Sequence, residues 1–224
     1  EVTGSIDWDV DDLTFMQYAI GSRTGAGTVL DPYELKELNN IGYTSGTEIP
    51  TLQLQIGSEG DANDNTLDIY GVAINNLTIT ATQGEILKAT CDWIGRTVAS
   101  GTSLTAYTAA TTKPFVFQQG AVTVGTDTFE CNSFALTLAN NMQTYRNLGS
   151  RFIAQPVTGV RRYDFTVTFK LKYDSTASIL SGTELLAYFF GAAAAPTTSG
   201  TVTSYAVSLD ITEGAASGDR VVNF

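Results

Sequence analysis

Aspartates crowd the start of the chain at positions 7, 9, 11 and 12, and oxygen ligands at that density are what a calcium loop is made from. Asp7, Asp9, Asp11 and Asp12 nevertheless lack the glycine at the sixth position and the bidentate glutamate at the twelfth that such a loop needs. They read better as the wet edge of a strand followed by a helix cap. The chain contains no histidine, which removes both the commonest general base and the commonest metal ligand. That argues against triad and zinc chemistry. A glycosidase would need paired carboxylates in a cleft, whereas the acidic residues here fall mostly in turns and at strand ends. No catalytic residue, metal or cofactor is therefore expected. Cys91 and Cys131 are too few and too far apart for a CxxC metal site or a disulfide scaffold. A single bridge between them requires neighbouring strands; two separately buried apolar thiols are the alternative.

With 224 residues, 23 acidic against 12 basic side chains and a net charge of −11, the chain suits one all-β domain or two small ones, and its field repels rather than reads nucleic acid. Glycine, threonine, valine and aromatic residues are abundant and charges sparse, as in β-rich proteins. No apolar run approaches the roughly 18 to 20 residues of a membrane helix, so no membrane span is expected. The first residue is Glu1 rather than methionine, which suggests a missing or processed leading piece; no secretory signal is visible.

The element with the clearest signal is Asn75 to Gly95, two alternating runs around the polar turn Thr82-Gln83-Gly84-Glu85, the pattern of a β-hairpin. Leu77, Ile79 and Ala81 fall on one face of the first arm, with Asn76, Thr78, Thr80 and Thr82 on the other. In the second arm Leu87, Ala89, Cys91 and Trp93 oppose Lys88, Thr90 and Asp92. One face suits a core; the other is wide, threonine-rich and nearly uncharged. Threonine favours strands and stays wettable.

Elsewhere Ser5 to Val10 alternates as a strand, and Asp11 or Asp12 caps a short helix, Leu13 to Ile20, ended by Gly21. A loop with Pro32 and a weak turn of helix leads to Pro50 and a strand, Thr51 to Ile56. Residues 57–65 form an acidic loop carrying Glu59, Asp61 and Asp64. Residues 96–112 show no strong periodicity, which at that length marks an interaction arm. Thr128 to Leu138 alternates, with Thr137 on its polar side, and so does Arg162 to Tyr173, with Thr166, Thr168, Lys170 and Lys172 opposite Phe165, Val167, Phe169 and Leu171. A helix from Asp174 or Ser175 through about Phe190, a strand at Ser204 to Ile211 and a tail at 212–224 close the chain. The tail is either loose or an arm that adds to a neighbouring chain. The second alternating pair echoes the hairpin, so both are expected in one large sheet with the helices on its apolar side. The fold class is mainly β: a single sandwich or barrel-like domain, 1–224, with one or two short helices.

This order of elements resembles that of phage tail tube proteins. The resemblance rests on GSIDWDVDDLTFMQYAIG, IPTLQLQIG, YGVAINNLTITATQGEILKATCDWIG, FALTLANN, PVTGVRR and YDFTVTFKLKYD in that sequence. Each fragment is weak; their order carries the match. It implies a structural virion protein with no enzymatic activity, assembled in the host cytoplasm, whose copies close into hexameric rings that stack into a tube. Hairpins then join edge to edge in an inter-subunit β-barrel around the channel through which viral DNA passes without specific binding. Partners implied are further copies, the tape measure, the tail terminator and the baseplate or tip. On that reading Thr78, Thr80, Thr82, Thr90, Thr137, Thr166 and Thr168 line the channel. Glu59, Asp61, Asp64, Arg96, Tyr107, Arg220 and Phe224 make contacts between subunits. Lysines in the bore would retard DNA, so Lys88, Lys170 and Lys172 are expected near strand ends or paired with Asp68, Asp92 or Asp164 of neighbours. The inner tubes of contractile injection and type VI secretion machines are an alternative reading. A different class, an extracellular β-sandwich binding module, predicts a monomer with aromatic residues gathered on exposed loops.

Overall fold

A computed structural model describes residues 2–12, 14–28, 30–38, 49–58, 65–101, 103–106, 112–124, 127–129, 131–154, 156–169, 207–212 and 221–223. Its strands are β1 (Val2–Asp9), β2 (Gly21–Thr24), β3 (Glu34–Glu37), β4 (Leu52–Ser58), β5 (Asn65–Thr82), β6 (Lys88–Gly95) and β7 (Thr97–Gly101). They continue with β8 (Gly120–Val124), β9 (Asp127–Phe129), β10 (Cys131–Ala139), β11 (Arg162–Phe169), β12 (Val207–Thr212) and β13 (Val221–Asn223). A 3-10 turn, Thr14–Met16, runs into one short helix, α1 (Gln17–Ile20). Asp12 accepts the Thr14 amide at its start, as an N-terminal cap should. Gly21 ends it at a φ of 145°, a conformation open to glycine and rare for other residues.

The hairpin β5-β6 forms because its turn can close. Glu85 donates its amide to the Thr82 carbonyl at 2.9 Å, and Gly84 supplies the φ of 85°. The large sheet has the order β1-β6-β5-β10-β11, with β4 and β7 flanking the first half of β5. Both alternating pairs seen in the sequence thus enter one antiparallel sheet, joined where β5 meets β10. β5 is 18 residues long, a span of roughly 60 Å. Its register slips against β4 around Gly71 and against β6 at Asn75. Each slip inserts one extra residue and restores the inward phase, so Ile69, Val72, Ile74, Leu77, Ile79 and Ala81 are all buried.

A smaller sheet, β13-β12-β8-β9, contributes Val122, Leu209 and Ile211 to the same core as Leu77, Ile79, Leu87, Ala89, Phe115 and Phe134. Each fully buried aliphatic or aromatic side chain there is worth about 1.5–3 kcal/mol. Main-chain bonds of 2.8 to 2.9 Å tie Val10, Leu87 and Phe115 into a triangle that fixes the two sheets' connections. The architecture is the mainly β, sandwich-like arrangement the alternation implied.

Several local expectations change. The stretch after Pro32 forms strand β3, paired with β2, rather than a turn of helix; the charges of Glu34 and Lys36 face outward from a two-stranded ribbon. Thr97–Gly101 is a strand against β5, although its small residues show no strong alternation. Val221–Asn223 pairs with β12 of its own chain, so this part of the tail is neither loose nor an added arm. The helix expected over 174–190, and Lys170 and Lys172, lie outside the described residues.

Candidate functional site: a polar sheet face and its two edges

Directly opposed residues of an antiparallel pair point to the same side, so the registers sort the sheet into transverse rows. One row runs Asp7, Thr90, Thr78, Thr137, Asp164. The next runs Asp9, Lys88, Thr80, Ala135, Thr166, and beyond it Thr82, Ser133 and Thr168 align. On the other flank lie Ser5, Asp92, Asn76, Ala139 and Arg162. Every threonine singled out in the sequence therefore shares one continuous face, although the residues come from four strands. Thr80, Thr82, Thr90, Thr166 and Thr168 are exposed; Thr78 and Thr137 are half-buried and place their hydroxyl oxygens 3.2 Å apart. The opposite face holds Cys91, Leu77, Ile79, Leu138 and Phe134, against the core.

The charges on this face are four carboxylates, Asp7, Asp9, Asp92 and Asp164, and two cations, Lys88 and Arg162, and some of them are paired. Arg162 bonds Asp164 at 2.8 Å, and Asn76 donates to Asp92 at 3.2 Å. Lys88 is the first residue of β6, a strand end, and stands opposite Asp9. Off this face, Asp68 accepts from Gln55 at 2.7 Å. Asp68, Asp92 and Asp164 thus each have a partner in their own chain. The acidic side of β1 is a part of the face that residue type alone did not reveal. Its signal was present in the alternation of Asp7 and Asp9 with Ile6 and Trp8.

Cys91 and Cys131 are both free thiols. Their strands are not neighbours, since β5 separates β6 from β10, and the bridge that adjacency would have permitted does not form. Burial, with the negative charges of Asp92 and Asp7, pushes the Cys91 thiol up to about 11. Burial also raises Cys131, and it raises the Tyr163 phenol, which Glu37 pushes in the same direction.

Among the described residues the sheet ends on β1 at one side and on β11 at the other. Farther out, Ile56, Leu67 and Val98 extend the apolar row of β5 past the core and are 56%, 51% and 44% exposed. Of the expected contact residues, Arg96 is exposed at the junction of β6 and β7, its amide bonded to the Tyr70 carbonyl at 3.0 Å. Glu59, Asp61, Asp64, Tyr107, Arg220 and Phe224 lie outside the described residues. No cluster of metal-ligating side chains occurs among the described residues, and no helix among them is long and apolar enough to cross a membrane.

Compared with known proteins, the chain matches a family model described as phage tail tube protein over residues 1–224. No curated protein matches it.

Proposed function

Because the chain belongs to the phage tail tube protein family, a family of structural, self-assembling virion tail components, we propose that it is the tube subunit itself. Its copies close into hexameric rings, and the stacked rings form the channel for DNA ejection. The observation that carries the reading is the single threonine-rich face shared by β5, β6, β10 and β11. A core needs only one side of this sheet, and the other side is built wettable, without a strong basic site. A phosphate backbone meeting such a wall finds hydroxyls to slide past and few cations to hold it.

The edges support the same reading. A sheet ending in unpaired strands invites pairing with another chain, and closure into a ring removes those ends. The exposed Ile56, Leu67 and Val98, with Arg96 nearby in the same outer part of the sheet, are proposed contacts between copies, together with the acidic segment 57–65, the segment 96–112 and the tail apart from Val221–Asn223. Tape measure, terminator and baseplate or tip proteins are the remaining partners. Electron microscopy of the concentrated purified protein tests the proposal: hollow tubes or rings are expected, and a monomer at every concentration would overturn it.

A further inference from the structure

The number of strands in the large sheet carries a consequence for how copies meet. The path β1-β6-β5-β10-β11 consists of antiparallel neighbours throughout. Among the described residues that path has five strands, and an odd count leaves both end strands running in the same direction: Ser5 to Asp9 of β1 advances the same way as Arg162 to Thr166 of β11. Rotation about a ring axis preserves the direction of every strand along that axis. Resting on the tube reading above, we propose that the seam between adjacent copies is a parallel strand pair, β11 of one copy against β1 of the next, in a sheet that is otherwise antiparallel.

The two edges suit each other in chemistry. On the polar face β1 presents Ser5, Asp7 and Asp9, while β11 presents the exposed cation Arg162 and then Asp164, Thr166 and Thr168. A seam with rows aligned straight across would set Asp164 beside Asp7, and like charges directly opposite each other are unfavourable. Barrel closure in any case requires a stagger between strands. An even-numbered offset keeps both polar faces on the same side, and one such step toward the start of β1 sets Asp164 abreast of Ser5, Thr166 of Asp7 and Thr168 of Asp9, with no like charges opposed. The parallel ladder has slanted bonds and is slightly weaker per residue than the antiparallel pairs inside the subunit. The seam is then the place where a ring comes apart before its subunits unfold.

Cysteine pairing between copies tests this. In a Cys91→Ala, Cys131→Ala background that still forms tubes, single variants Ser5→Cys, Asp7→Cys and Asp9→Cys are each mixed with Arg162→Cys, Asp164→Cys, Thr166→Cys or Thr168→Cys before assembly. Mild oxidation then traps covalent dimers. The expected result is that the best partner moves toward Phe169 as the β1 position moves from Ser5 to Asp9. Movement in the opposite sense, or tubes without any β1–β11 dimer, would overturn the parallel seam while leaving the tube reading intact. All these positions are exposed or half-exposed on the polar face, and circular dichroism of each unassembled variant separates misfolding from failure to pair. If the unmodified chain forms neither ring nor tube, the tube reading fails and the seam falls with it.

Discussion

Thr78 on β5 and Thr137 on β10 face each other with hydroxyl oxygens 3.2 Å apart, at the middle of the polar face. Such cross-strand pairs contribute roughly 0.2–1 kcal/mol, so the hydroxyls are not there mainly for stability. In a double-mutant cycle with Thr78→Val and Thr137→Val, urea unfolding should give a coupling energy no larger than about 1 kcal/mol. A larger value would make the pair a structural clasp and weaken its assignment to a wetted wall.

Charge placed on that wall should act on passage rather than on folding. Thr80→Lys together with Thr168→Lys is expected to leave the subunit folded and assembling, because both sites are exposed. The lysine at position 80 would lie across from Lys88, a like-charge cost of roughly 0.2–1 kcal/mol. Infectivity and the rate of DNA ejection should fall. Unchanged ejection by tubes of normal appearance would remove the face from the channel.

Gly4 is held to its size by Trp93. A Cβ there would sit 2.5 Å from the indole, across the β1-β6 register. Gly4→Ala should therefore lower stability by about 1–3 kcal/mol, the usual cost of overpacking. At Gly84 a Cβ would meet nothing within 4 Å, but φ is 85°; Gly84→Asn, whose side chain tolerates that conformation, should cost much less than Gly84→Ala. Thermal unfolding of the three variants gives the ranking.

Alkali should loosen the fold through the buried thiol. Cys91 is raised from 9.0 to about 11 in the folded chain, first by burial and then by Asp92 and Asp7. A group that holds its proton more tightly when folded stabilises fully below its unfolded pKa, and that contribution is lost as pH rises through the folded value. The thermal midpoint should thus decline between about pH 9 and 11, and Cys91→Ala should flatten part of that decline. Cys131 and Tyr163, shifted the same way, keep the rest. An identical slope in the variant would show that Cys91 is not the group responsible.

How much of this could be read from residues alone depended on whether the signal was local. The hairpin, its turn, and the polarity of its two faces follow from period-two alternation in Leu77, Ile79 and Ala81 and from Gly84. The placing of β1 beside β6 did not, because it depends on pairing Ile6 with Cys91, far away in the sequence. Asn140 illustrates the same limit. In the sequence it merely ends a strand, yet it is fully buried, and its side-chain amide donates to the carbonyls of Ala19 and Ile74 at 2.9 and 2.8 Å. Strand β7 was missed because Ala99, Ser100 and Gly101 are too small to show a side preference, and their order comes from the partner β5. Arg161 is buried against Glu37 at 3.3 Å and the Ile20 carbonyl at 2.9 Å, a clamp between distant segments with no sequence signature.

The slips at Gly71 and Asn75 have a bearing on how this chain can change over generations. They act as phase resets in a long strand, so β5 can absorb many substitutions but few changes in count. Loss of Asn75 alone would bring its two flanks to simple alternation with Val72, Ile74, Leu77, Ile79 and Ala81 all still inward, whereas a further residue gained there would turn either Val72 and Ile74 or Leu77, Ile79 and Ala81 toward the wet side. A residue gained there would have to be matched by one on β6, where the shifted register is read. Descendants of this hairpin are thus expected to vary in spelling while conserving its metre.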